Sequence, residues 1–234
     1  MTIPAWSYSR LTTFESCKLR AKLAYVDRIP EPPRPLPPGK TEHANDRGTR
    51  VHEGAELYIK ADVELLPELK FFKDELVRMK ELFREGKVSL ETEWGFDKDW
   101  APVAWNSSSV WARIKPDAIV MLDRKTAVVI DYKTGKRYGN EFKHSEQCQL
   151  YMIALLLRYP EIEEVTVELW YIDQDELHQM KYTRNQGMRF FNNFNNRGLA
   201  MTGCHDFPSN PNIFSCRWCP YGPNGTGHCS DGVG

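Results

Sequence analysis

An α/β protein, with a central mixed β-sheet flanked by helices, is what this chain of 234 residues should form. Two apolar, β-branched runs, 119–122 and 126–130, are separated by the polar break Asp123-Arg124-Lys125, the pattern of a β-hairpin. Leu69, Phe72, Leu76, Met79 and Phe83 recur through residues 67–85 at the spacing of one helix face. A helical stretch over 145–158 then stands between the second run and a further apolar segment, 165–172, so strands and helices alternate along the chain.

Each element has its own signal. Ser9 looks like a helix cap, and Leu11, Phe14 and Leu19 predict a short helix, a turn near Cys17 and a second helical stretch. Six prolines within residues 30–38 dictate a stiff, extended loop. From Gly48 to Lys60 the pattern is helical, with Val51, Ala55, Tyr58 and Ile59 on one side and His52 and Glu56 one turn apart. Gly86 should end the 67–85 helix. Val88 to Phe96 alternates as one strand, with Ser89, Glu91 and Glu93 on its polar face; a solvated face is the expectation for both glutamates, and an approach of either to a metal site is the alternative. After the hairpin, Ser145 should cap a helix that runs to Arg158 and stops before Pro160, burying Leu150, Ile153, Ala154 and Leu157. Residues 165–172 and 177–183 form a second hairpin, and helix resumes through 188–201.

Composition bounds the function. A hydrophobic fraction of 41% and a charged fraction of 27% are ordinary for a globular protein, and the length suits one core, so residues 1–234 are expected to be a single domain. The longest apolar run, Tyr151–Leu157, is too short to cross a bilayer, and the N-terminus does not resemble a signal peptide, so no membrane partner and a cytoplasmic location are expected. A net charge of -1 gives no global nucleic-acid footprint. Contact with DNA would need local patches, for which Arg10, Lys18, Arg20, Lys22 and Arg28 form one candidate and Lys133, Lys136, Arg137 and Lys143 another.

The chemistry concentrates in Thr126 to Lys136, a buried strand that ends in Asp131-Tyr132-Lys133. Residues two apart on a strand share a face, so Asp131 and Lys133 are presented together. A turn centred on Arg124 sets Asp117 opposite Asp131, where facing side chains stand roughly 5 Å apart at Cβ. Carboxylates that close repel, and the arrangement asks for a divalent cation between them. Gln147 and Tyr151 lie one helical turn apart just downstream. Six cysteines in a cytosolic chain argue for metal ligation over disulfides, and Cys216-Arg-Trp-Cys219 with Cys229 offers three thiolates to one centre. The fourth ligand and the metal stay open on spacing alone; a zinc site using Cys204, His205 or His228 is one answer.

Gly48-xxx-His52, Asp117, Asp131-Tyr132-Lys133 and Gln147-xxx-Tyr151, in that order, resemble the pattern of the PD-(D/E)xK nuclease superfamily. The likeness is to its RecB-like branch, which includes AddB-type nucleases and the CRISPR-adaptation nuclease. The resemblance implies a restriction-endonuclease-like core and a metal-dependent DNA nuclease, expected to act as an exonuclease on single strands or DNA ends. Asp117, Asp131 and Lys133 would be catalytic; His52, Asp117, Asp131 and the carbonyl of Tyr132 would hold Mg²⁺ or Mn²⁺; Gln147, Tyr151, Lys136 and Arg137 would contact substrate. A histidine nitrogen makes such a site friendlier to manganese. By the same resemblance Cys17 joins Cys216, Cys219 and Cys229 around a 4Fe-4S cluster that clasps the first helix to the C-terminus. The chain then divides into an N-terminal segment, 1–45, a nuclease core, 46–200, and a cysteine segment, 201–234, with DNA and a recombination, helicase or integrase protein as partners. The rival expectation is an inactive iron-sulfur or zinc subunit that holds DNA within a larger nuclease complex.

Overall fold

The computed structural model describes residues 2–233. Its main sheet has five strands in the order β1-β5-β6-β7-β8: β1 Val88–Leu90, β5 Ala118–Met121, β6 Thr126–Lys133, β7 Glu164–Tyr171 and β8 Glu176–Thr183. The pairs β1/β5, β5/β6 and β7/β8 are antiparallel and β6/β7 is parallel, so the sheet is mixed, as expected. A parallel neighbour requires a crossover, which α5 (Glu141–Arg158) supplies between β6 and β7. The hairpin register is the one a turn centred on Arg124 demands: Ala118 pairs with Ile130 and Met121 with Ala127.

Apolar layers cover both faces of the sheet. On one, α5 packs Leu150, Ile153, Ala154 and Leu155 against Ala127, Val129, Val165 and Val167. On the other, α3 (Ala44–Ala61) and α4 (Lys73–Arg84) bring Val51, Ala55, Ile59, Leu76 and Met79 against Val120, Ile130 and Tyr132. Tyr132 and Asp131, adjacent on the middle strand, therefore face different layers. The strand period dictates that separation.

Several boundaries differ from expectation for local reasons. The stretch 88–96 is two strands, because Glu91 takes a left-handed backbone (φ 49°) and breaks the run. Its second half, β2 (Trp94–Phe96), belongs to a small antiparallel sheet with β3 (Pro102–Val103) and β4 (Ala112–Ile114). The 67–85 helix opens with a 3-10 turn over Pro67–Phe72 before α4. Helix α5 begins at Glu141 after Asn140, so Ser145 lies inside it. At the N-terminus α1 (Tyr8–Ser16) is capped by Ser7, which accepts from the Arg10 amide, in place of Ser9. Cys17 then separates α1 from α2 (Lys18–Tyr25). After α6 (Arg184–Met188) and α7 (Phe191–Thr202), the C-terminal segment with α8 (Ile213–Cys216) returns to the N-terminal helices. There the Leu19 amide donates to the Pro208 carbonyl (3.2 Å), Asn210 Nδ2 to the Ser16 carbonyl (3.0 Å) and the Tyr221 hydroxyl to the Ile29 carbonyl (3.0 Å).

Candidate active site

The charged end of β6 meets three other elements at one corner of the sheet. Helix α3 approaches it closely at Gly48, where a Cβ would stand 3.3 Å from the Thr134 hydroxyl oxygen. Arg47 reinforces the approach with a two-point ion pair to Asp173 (3.0 and 2.6 Å), whose carboxylate also accepts from the Gly135 amide at 2.8 Å. One turn beyond Gly48, His52 then points at the strand ends. Its ring stands edge-on to the Tyr132 ring, with centroids 5.6 Å apart.

Asp117 lies just before β5 and Asp131 near the end of β6; both are buried, at 7% and 1% exposure. The Tyr132 amide donates to Asp117 Oδ2 at 2.7 Å, which fixes that carboxylate against the neighbouring strand. His52 Nδ1 lies 3.4 Å from Asp117 Oδ1 and 3.8 Å from Glu91 Oε1. Glu91 is therefore part of the centre and not of a solvated face. Its amide donates to the Asp117 carbonyl (2.9 Å), and Lys115 holds its other oxygen at 2.9 Å. The one hint in the sequence was a pair of acids, Glu91 and Glu93, on the polar face of an alternating stretch; the turn that aims the first of them inward has no such hint.

Asp131 faces the α5 layer. Lys133 Nζ stands 2.6 Å from Asp131 Oδ2 and donates to Gln147 Oε1 at 2.9 Å, and Gln147 Nε2 donates to the Tyr151 hydroxyl at 2.6 Å. A chain of contacts thus runs Asp131, Lys133, Gln147, Tyr151. Of the other residues expected here, Arg137 is held by Glu176 at 2.5 Å and Lys136 is exposed, both outside that chain.

Electrostatics follow from crowding. Burial alone would lower the His52 imidazole, but the carboxylates of Asp117 and Glu91 outweigh it and raise its pKa to about 10. Burial raises the Asp131 carboxyl, opposed by the Lys133 ammonium and supported by the nearby charge of Asp117. Burial likewise works against Lys133, whose carboxylate neighbours outweigh it and keep it protonated.

The donor set fits a divalent cation. One ligand atom each from His52, Glu91 and Asp117 lie within 4.8 Å of one another, close enough that a slight inward shift would let one ion take all three at about 2.0–2.2 Å per bond. Asp131 Oδ2 is buried, and its contact with Lys133 is an ion pair without hydrogen-bond alignment, which leaves a lone pair for a cation. The proton on His52 balances the charge that such an ion would balance.

Cys17, Cys216, Cys219 and Cys229 line one cavity between α2 and the C-terminal segment. Burial raises the Cys229 thiol, with Cys219 and Cys17 adding charge repulsion. Among the described residues no three cysteine sulfurs come within 4.8 Å of one another, so the four are not gathered as tightly as a single small ion requires. Cys204 donates to the Asp206 carbonyl and lies outside the cavity.

No curated protein matches the chain in sequence. Among solved structures, one from Eubacterium rectale that carries the name "Putative exonuclease" superposes with a TM-score of 0.55 at 11% identity, covering 94% of this chain and 88% of that one. The protein called SSO0001 aligns over 100% of this chain and 89% of its own at 12% identity, with a TM-score of 0.45. The family model for the PD-(D/E)XK nuclease superfamily matches residues 5–223, and by that match the chain belongs to the superfamily.

Proposed function

We propose that this protein is a Mg²⁺- or Mn²⁺-dependent deoxyribonuclease of the RecB-like branch that acts as an exonuclease on single strands or DNA ends. The observation that carries the reading is the convergence of His52, Glu91 and Asp117 within 4.8 Å, beside the buried Asp131–Lys133 pair. A divalent ion held there supplies Lewis-acid chemistry, polarising the scissile phosphate and lowering the pKa of bound water. The chain's own groups do the rest. Asp117, Glu91 and His52 form the binding face, and Asp131 adds an oxygen whose charge Lys133 balances. Lys133, kept cationic by its carboxylate neighbours, offers a positive charge where the phosphoryl oxygens gain negative charge. Gln147 fixes that ammonium and is itself fixed by Tyr151, so the lysine enters the reaction already oriented.

The four cysteines that share a cavity support a 4Fe-4S cluster as a structural clasp, since a cluster spans wider sulfur separations than one zinc ion does. Exonuclease action rests on the RecB-like motif order, and a structural neighbour bears that name. The test is cleavage of end-labelled single- and double-stranded DNA with Mn²⁺. Asp131→Ala and Lys133→Ala should abolish cleavage while DNA binding and iron content persist. Undiminished cleavage by either variant ends the proposal, and wild-type protein that binds DNA without cutting it would make the chain a DNA-holding subunit.

A further inference from the structure

The groove that opens beside the catalytic centre is lined by cations, of which Lys115 is answered by Glu91 and Arg113 by no carboxylate among the described residues. Gln147 and Tyr151 form its inner end, Lys115 and Lys143 lie along it, and Trp105 and Arg113 stand at its outer end, around a volume of about 400 Å³. A second cavity, of about 330 Å³, shares Trp105 and Arg113 and continues to Arg10. The two form one path from the Asp131–Lys133 corner to the start of α1.

The outer end of that path has unusual electrostatics. Arg113 is half-buried; its Nε donates to the Trp105 carbonyl at 3.1 Å, and its guanidinium lies 5.6 Å from the centroid of the same ring. Its terminal nitrogens meet no acid among the described residues. Arg10 is also half-buried; it donates to the Ala5 carbonyl at 3.0 Å, stacks 5.0 Å from the Tyr25 ring and likewise meets no acid. Burial lowers its pKa, and Arg113 and Arg28 lower it further as like charges. Elsewhere Arg47, Arg50, Arg137 and Arg197 are each paired with a carboxylate. Two partly desolvated guanidinia near each other without an acid are unfavourable unless an anion joins them. The flat, half-buried indole beside them suits a base, and cationic grooves with aromatic platforms are how single strands are held.

We infer that this path is a track for a single strand of DNA, with a phosphate shared by Arg10 and Arg113 and a base stacked on Trp105. The direction of the track rests on the nuclease reading, which places the scissile bond at its inner end. Volumes of this size hold one or two nucleotides, so the proposed track would take a single strand or a frayed end at this point.

The test measures binding apart from cleavage. In an Asp131→Asn background, fluorescein-labelled dT12 is titrated by anisotropy, with a blunt duplex of the same length as comparison. Trp105→Ala and Arg113→Ala should each weaken dT12 binding about tenfold. Replacing both Arg10 and Arg113 by Ala should also flatten the dependence of log Kd on log salt by about 0.7, each single change by part of that, while Trp105→Ala leaves the slope unchanged. Duplex affinity should change less than twofold throughout, and Lys125→Ala, at the far hairpin turn, serves as the control. If Arg113→Ala does not fold, Arg113→Lys should keep the salt slope and still lose affinity, because an ammonium lacks the guanidinium fork. Wild-type affinity in Trp105→Ala, or an equal loss for duplex and single strand, overturns the track. Either result can coexist with full cleavage by the wild-type protein, whereas absent cleavage with a confirmed track would remove the nuclease reading alone.

Discussion

Glu91 and His52 define what the centre demands of single residues. Asp117, Asp131 and Lys133 could be placed from the sequence because a strand period and a tight turn fix register, and the register centred on Arg124 is the one found. Glu91 could not be placed, since its contribution depends on a left-handed backbone angle that alternation does not encode. If Glu91 is a ligand, Glu91→Gln should weaken Mn²⁺ binding about tenfold or more by calorimetry, with the fold unchanged. His52 gives a sharper prediction. In the metal-free protein its pKa is about 10, above the unfolded value, so its proton stabilises the fold fully below about pH 6.5, and that contribution is lost as pH rises through 10. Coordination needs the neutral ring, so at pH 7 each Mn²⁺ bound should release close to one proton, and affinity should rise with pH. Titrations in buffers of different ionisation enthalpy count that proton. No release would mean that His52 stays out of the coordination sphere.

Elements deliver those residues only if α3 stays locked to the end of β6. The lock is Arg47 to Asp173 to the Gly135 amide, which ties a helix, a strand-end loop and the β7–β8 turn together. Helices and long strands were legible because their periodicity runs over many residues: the apolar stripe within 67–85, the two hairpins and the helix ending at Arg158 are all found, although the first opens with a 3-10 turn and the last begins ahead of Ser145. The β2-β3-β4 sheet was not legible, its strands being two or three residues long and its pairing set by distant loops. The Arg47–Asp173 pair joins residues 126 apart and leaves no local pattern. Asp173→Ala should cost about 1 kcal/mol of stability, the scale of a half-exposed bidentate pair with one added amide bond. It should weaken Mn²⁺ binding as well, because His52 loses its fixed position. Chemical denaturation and calorimetry check the two effects, and a stability loss with unchanged Mn²⁺ affinity would detach the lock from the centre.

At the scale of the whole molecule, the C-terminal segment has too little core to hold itself in place. Ile213, Phe214 and Trp218 are exposed at 60%, 88% and 71%, and beyond Phe207 the one buried large apolar side chain among the described residues is Tyr221. A few hydrogen bonds to α1, α2 and the loop after them fasten it, each worth about 1 kcal/mol net, against an ordering cost of about 1–2 kcal/mol for every residue fixed. Burial and hydrogen bonding are therefore sparse in this segment, and a staple would add to them. The proposed cluster across Cys17, Cys216, Cys219 and Cys229 would be that staple, closing a loop of nearly the full chain, and its binding energy would count as folding energy of the segment. The sequence revealed the cysteines; it could not reveal how little else secures the segment. Anaerobically purified protein should be brown and contain iron and sulfide. Cys219→Ser should lose both, and its residues 209–233 should exchange amide hydrogens within seconds while β5, β6 and β7 stay protected, with the melting temperature of the sheet lower by a few degrees. Hydrogen-exchange mass spectrometry separates the outcomes. A colourless protein whose segment remains protected would show that its hydrogen bonds suffice and that the cysteines serve some other centre.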